Sequence, residues 1–231
     1  MSEEKIYCYN CFKPIKEGEK TREHIPAKTL FEGYDDKYKA NRITVPACYE
    51  CNQGYSPTDR DFRNLIGIIA KRKENNQITA KAIKSITKDK KSSLTIDSLG
   101  KVTGVILGQD TIENFHKKNF KGLFYHQYGK PLSDEYELFV NIDENDYSTM
   151  TLAMLGYLKE HFIWKHSGHE DILSYCLQPF HLEISNPNKE DLKLSENENI
   201  IIGYMKYNQE HAALVIAVRK SYLETIKEKH K

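Results

Sequence analysis

Surplus charge of one sign is missing from this chain: 34 basic and 33 acidic side chains leave a formal net charge of +1, which excludes a uniformly basic or acidic protein. Long apolar runs are missing as well. No stretch approaches the roughly 20 residues that a membrane-spanning helix needs, so no membrane partner is expected. The opening residues MSEEKIYCYN are polar and acidic where a secretory signal would be basic and then apolar, and a cytoplasmic location is expected. Internal repeats are absent, which excludes a stacked-repeat array. Cysteine is scarce, with five in 231 residues. In a reducing compartment a clustered set points to metal binding or chemistry rather than to disulfides.

What is present is an ordinary globular composition, 39% hydrophobic, enough for one large domain or two small ones. The neutral total hides an asymmetry. Residues 1–70 carry 11 basic and 11 acidic groups, residues 71–130 carry 13 and 5, and residues 131–231 carry 10 and 17. The middle is therefore the part suited to a polyanion, unless KRKENNQITAKAIKSITKDKK is simply a solvated helix face.

A change in texture near residue 75 suggests two parts. The first, residues 1–75, is dense in Cys, Pro, Gly and Asn and closes on a helix. Ser56 is an N-cap candidate, Pro57 takes the first helical position, Asp59 completes a capping-box-like pattern, and Phe62, Leu65, Ile66 and Ile69 recur at helical spacing. The second, residues 76–231, is basic to 130 and acidic beyond. It reads as a basic helix at 77–91, a hairpin of strands at 93–97 and 102–107 turning at Gly100, and a helix from Asp110 to Tyr128 stopped by Gly129. Beyond these come a strand at 136–142, a helix at 147–160, strands at 180–185, 199–207 and 212–218, and a final helix from 220. Residues 186–199 read as a polar loop. The expected fold class is α+β throughout.

Cys8-x-x-Cys11 and Cys48-x-x-Cys51 are two knuckles of equal internal spacing, and four thiolates complete a tetrahedral zinc. Such a closed sphere is structural. A short, loop-rich segment buries too little apolar surface to order itself, and a zinc clamp supplies that folding free energy. Cys176, near Leu173 and Leu177, reads as a small core residue.

Between the knuckles stands Arg22-Glu23-His24-Ile25-Pro26, and Asn52 follows the second knuckle at once. With these residues in this order, residues 5–70 resemble the HNH endonuclease superfamily. Its motif is C-x-x-C, an acid followed by His, a strand bearing Asn, a second C-x-x-C followed by His or Asn, and a closing helix. The resemblance implies a zinc-stapled ββα-metal module that hydrolyses phosphodiester bonds in DNA, with a nuclease acting mainly on RNA as the alternative since the same chemistry serves either polymer, and a setting such as restriction or antiphage defence. His24 is then the general base, since an ordinary pKa of about 6.5 lets it take a proton near neutral pH. Glu23 and Asn52 are then oxygen ligands of one magnesium or manganese ion, with a bend that turns Glu23 to the metal and His24 to the attacking water. Asp59 either joins them or only favours the helix N-terminus, and Asn52 has the competing task of closing the knuckle turn.

Two departures stand out. Glu23 replaces the family's usual Asp, and Ile43 occupies the place of the strand Asn that fixes the loop, with Asn41 two residues earlier. Arg22, Lys28, Arg42, Arg60 and Arg63 surround the motif as candidates for phosphate contact. Phe115 to His126 interleaves bases with aromatics, and Phe120, Phe124 and Tyr128 at every fourth position read as a packing face before a base-stacking one. No chemistry-bearing motif follows residue 130, so the acidic half is expected to serve regulation, target choice, self-association or a protein partner. The contrasting possibility is a zinc-ribbon nucleic-acid-binding protein in which Glu23, His24 and Asn52 are incidental.

Overall fold

The computed structural model describes residues 5–16, 18–69, 76–88, 93–100, 102–142, 164–180 and 198–229, together with 152, 155 and 156. The expected helix at 147–160 falls mostly outside them, as do the strand at 180–185, nearly all of the loop at 186–199, and the basic residues 71–75 and 89–91. The chain is mixed α+β, with three antiparallel sheets among the described residues.

Up to residue 54 the elements are short. Strand β1 (Thr21–Ile25) and strand β2 (Ile43–Ala47) flank a turn of 3-10 helix at Lys28–Phe31 and α1 (Asp36–Lys39), and helices α2 (Tyr49–Gly54), α3 (Ser56–Ile69) and α4 (Asn76–Lys88) follow. β1 and β2 pair in unbroken register from Thr21 opposite Ala47 to Ile25 opposite Ile43. Their alternation buries Glu23 and Ile25 with Ile43, Val45 and Ala47. Pro57 lies in the first turn as expected, but the capping box does not form. Tyr55, just before α3, is already in the helical region, and Asp59 donates its backbone N–H to the Tyr55 carbonyl at 2.9 Å.

A hairpin of β3 (Ser93–Ile96) and β4 (Val102–Ile106) leads into α5 (Gln109–Tyr128). As its sequence demands, α5 ends at Gly129, which takes the left-handed conformation at φ 71° and donates to the Tyr125 carbonyl at 2.8 Å. The remaining strands form one five-stranded antiparallel sheet in the order β5-β9-β8-β7-β6. They are β5 (Tyr136–Asn141), β6 (Lys165–His166), β7 (Leu173–Pro179), β8 (Ile200–Tyr207) and β9 (His211–Arg219), and α6 (Lys220–Lys229) closes the chain.

Alternation along the central strands sends two sets of side chains to opposite faces. Cys176, Ile200, Ile202, Tyr204, Leu214 and Val218 form a small cluster with Leu155, against which Tyr222 and Leu223 of α6 pack. Tyr175, Leu177, Ile201, Met205, Tyr207, Val215 and Ala217 join the main core, together with Ile25, Val45 and Phe62 of the first region and Phe115, Phe120 and Leu123 of α5. The expected boundary at residues 75/76 is therefore no break in packing. Helix α5 lies between the β1–β2 pair and the five-stranded sheet, and two glycines bring it close. A β-carbon on Gly122 would collide with the Ile25 side chain, and one on Gly203 of β8 would come within 2.8 Å of the Phe120 ring.

Candidate metal centre and the buried acid cluster

The two knuckles converge. The sulfurs of Cys8, Cys11, Cys48 and Cys51 lie within 4.8 Å of one another, a group that can hold a metal ion such as zinc. The first knuckle is a tight turn in which Phe12, at φ 67°, donates to the Cys8 carbonyl at 3.2 Å. The Tyr9 N–H donates to the Pro46 carbonyl at 3.0 Å, tying that turn to the strand leading into the second knuckle. Burial raises the Cys8 pKa, but backbone N–H groups of Cys11, Cys48 and Asn10 outweigh it and leave the thiol below its ordinary 9.0, whereas burial pushes Cys51 up to about 11 and Cys48 higher still, so thiolates at those two would depend on the metal itself. Asn10 Nδ2 donates to Cys51 Sγ at 3.4 Å, and Lys121 of α5 donates to Asn10 Oδ1 at 3.2 Å. A four-thiolate zinc carries excess negative charge, and Lys121 brings a cation beside it.

Next to this centre lies a buried ionic cluster. Lys118 of α5 is fully buried. Its Nζ lies 2.9 Å from Glu23 Oε1, and 2.8 and 2.6 Å from the two oxygens of Asp59. The same ammonium stands 5.4 Å from the centroid of the Tyr55 ring. Burial raises the pKa of both carboxyls above their ordinary values, and Lys118 pulls both back. Of the four carboxylate oxygens, Glu23 Oε2 alone is buried with no hydrogen-bond partner, and the nearby Tyr9 hydroxyl shares that condition. Asp59 is thus neither a helix cap nor an open ligand, because both its oxygens are committed to Lys118.

The other expected site residues divide by position. His24 projects from the opposite face of β1 to Glu23. The unbroken register leaves no bend within the strand where one was expected. Burial, then the charges of Arg42, Lys28, Lys118 and Arg22, lower the imidazole pKa from its ordinary 6.5. Arg42 itself lies over the Phe31 ring, 5.5 Å from its centroid. Arg63 instead reaches Asn64 Oδ1 at 2.6 Å and Glu32 at 3.9 Å, and Arg60 meets Asp61 at 3.1 Å. Asn52 lies half-buried in α2, its backbone N–H on the Cys48 carbonyl at 3.1 Å. Its side chain makes no hydrogen bond among the described residues.

Sequence reasoning missed three residues beyond position 115. Lys118 and Lys121 are one turn apart on α5, and a lysine in register with Phe115 and Gly122 on a packing face was the signal for the first. Ser167 gave none. It joins the loop end of the β1–β2 pair, donating to the Ile25 carbonyl and accepting from the Ile43 N–H at 3.0 Å. Asn41, considered as a stand-in for the loop-fixing Asn, is instead a left-handed turn residue at φ 55° whose carbonyl accepts from Gly168. Compared with protein-family models, curated proteins and solved structures, the chain has no match, so the chemistry of the site carries the functional reading.

Proposed function

We propose that this chain is a phosphodiester hydrolase of the HNH type, acting on nucleic acid with DNA as the first substrate to test. The single observation that carries this reading is Glu23 Oε2, a carboxylate oxygen buried without a hydrogen-bond partner; His24, the next residue, is half-buried on the other face of β1, so the reading requires the strand to present both side chains to one phosphate. Asp59 does not fit as a ligand of a divalent cation. Glu23 offers only Oε2, which is buried, its other oxygen being held by Lys118, and Asn52 of α2 is the further oxygen donor that the reading calls on. Magnesium or manganese held there would stabilise the charge that develops on the phosphate. His24, kept neutral to lower pH by burial and its cationic neighbours, accepts the proton of the attacking water. The water oxygen bonds to phosphorus as the bond to the leaving sugar oxygen breaks. Arg22, Lys28 and Arg42 attract the phosphate backbone independently of sequence.

A second reading, nucleic-acid binding without cleavage, is favoured by one observation: Lys118 already neutralises one charge of the Glu23–Asp59 pair. Incubating zinc-loaded protein with plasmid and with structured RNA, in magnesium, manganese or EDTA, separates the two. Cleavage that requires the added cation supports a hydrolase, and the polymer cut identifies the substrate. Salt-sensitive binding with no cutting under any condition favours the second reading, and neither binding nor cutting rejects both.

A further inference from the structure

We propose that the tip formed by the two cysteine knuckles is a stacking platform for unpaired bases: Tyr7, Phe12 and Tyr49 take the bases of a single-stranded nucleic acid, and Lys5, Lys13 and Lys16 take its phosphates. This rests on the proposed action on nucleic acid and names the form of strand engaged, through residues that the cleavage site does not use.

Phe12 is the residue of this tip that the fold least explains. It sits at φ 67°, a left-handed conformation that suits glycine and disfavours a bulky side chain, and it is 42% exposed. The tight turn needs that backbone conformation, but a phenyl ring there gains little from the fold. Among the described residues its ring contact is with Tyr7, itself 37% exposed, at 6.5 Å between centroids. Backbone strain at an exposed aromatic points to a ligand rather than to packing.

The second knuckle adds a third ring. Tyr9 and Tyr49 hold equivalent places, each directly after the first cysteine of its pair. Tyr9 is fully buried in the core, whereas Tyr49 is 66% exposed. Phe12 follows Cys11 and Tyr49 follows Cys48, and the sulfurs of those two cysteines lie 3.8 Å apart. Both rings therefore belong to one tip.

Cations accompany the rings. Lys13 follows Phe12, while Lys5 and Lys16 flank Ile6 and Ile15, whose backbones are joined by a hydrogen bond of 2.8 Å. All three lysines are exposed, and their ammonium groups make no ion pair among the described residues. Glu50 is the one acidic residue within the two knuckles. Aromatic faces beside uncommitted cations fit a single strand, whose bases are free to stack and whose phosphates carry the opposite charge. Every base has a ring face, so the platform tolerates any sequence. A duplex keeps its bases stacked on one another and leaves the rings without an occupant. A protein partner is the poorer fit, because lysine is depleted at protein interfaces.

The test is fluorescence anisotropy on full-length, zinc-loaded protein without magnesium or manganese, so that binding is read apart from cleavage. The probes are labelled oligothymidylate, oligouridylate and a DNA duplex of equal length. Wild type is expected to prefer the single strands, and the tighter of the two shows which polymer is engaged. Phe12→Gly gives the left-handed position the residue that suits it. Its urea midpoint should equal or exceed that of wild type while single-strand binding weakens about tenfold. Tyr49→Ala should weaken binding by a similar factor. Duplex affinity should fall less in both, whereas a loosened fold would lower the two alike. Lys13→Ala should reduce the slope of log affinity against log salt by about 0.7. Single-strand affinity unchanged in both aromatic variants, or duplex affinity falling equally, overturns the platform and leaves the hydrolase reading intact. A wild type that binds no nucleic acid in any form overturns both. Sedimentation of the same samples covers the other occupant: a wild-type dimer that Phe12→Gly dissociates, with single-strand affinity unchanged, assigns the face to a second copy of the chain and overturns the proposal.

Discussion

Up to Ile69, the buried positions include thiols, two carboxylates and, from α5, the lysine that joins them. In the five-stranded sheet the corresponding positions are Ile, Leu, Val, Met, Tyr, Ala and Cys on its two faces, with Gln178 of β7 a buried polar exception. The difference follows from element size. Strands of five residues and helices of four to six cover little of one another before the 14-residue α3, so the segment up to Gly54 relies on directional contacts, among them a four-cysteine group that can hold a metal. Strands of seven to nine residues bury enough apolar surface to need none. Directional contacts hold side chains in particular orientations, which is what chemistry requires. The apolar sheet supplies the rigid surface against which α5 presents Lys118 and Lys121.

The largest effect is expected from breaking the clamp. Cys48→Ser should abolish zinc binding, whose apparent contribution in small four-ligand sites is about 10–16 kcal/mol. Hydrogen exchange should then show the β1–β2 amides losing more protection than those of β8 and β9. A zinc-free protein with a protected hairpin would contradict the contrast between the two regions.

Next comes the seam. Phe62 is fully buried and stacked on Phe115, so Phe62→Ala should cost about 3–5 kcal/mol, read as a shift of the urea midpoint. The shared core requires one transition, and two separate ones would show that the regions unfold independently.

The sheet side has its own buried polar pair, which sharpens the comparison. His116 and His211 stack with their Nε2 atoms 2.9 Å apart, among Phe62, Phe115 and Tyr207. Burial lowers both, His211 to about 4. The folded state thus disfavours protons that the unfolded chain accepts below about 6.5. Stability from the neutral pair should be complete above that pH and lost as pH falls toward 4, by about 3 kcal/mol at most for His211. Urea titrations of wild type and His211→Gln between pH 7.5 and 5 measure this, and the variant should show the shallower slope. Parallel slopes would mean that His211 titrates normally in the folded protein.

The smallest effect is expected at Ser167. Its replacement by Ala leaves the Ile43 N–H and the Ile25 carbonyl without their side-chain partner, which should cost about 1–3 kcal/mol and raise exchange at Ile43 more than at Val45. Unchanged exchange at Ile43 would show that the hairpin end is fixed by something else.

Local chemistry was legible in the sequence, and long-range pairing was not. The paired knuckles, α3 with its Phe62 stripe, α5 with its Gly129 stop, and the 93–106 hairpin could all be read because each is specified by neighbours in the chain. β7 was missed for a physical reason. Buried on both faces from Tyr175 to Pro179, it lacks the polar alternation that marks a strand, and it ends in a proline. Asp59 was misread because its sequence position suits a helix cap, whereas its partner lies 59 residues away on α5. Ser167, distant by 142 residues from Ile25, carries no pattern that could announce it.

The central claim, that His24 is the base of a cation-dependent cut at a site centred on Glu23, is met most directly by His24→Ala. Cleavage rate and filter-binding affinity are measured together across a manganese titration on folded, zinc-loaded protein. Removing the base should slow cleavage by about two to four orders of magnitude with affinity nearly unchanged, and excess manganese should not restore it. Glu23→Ala, measured alongside, should be partly rescued by excess manganese. Cutting at the wild-type rate by folded His24→Ala would remove His24 from the chemistry, and a wild-type protein that binds but never cuts would contradict the claim outright.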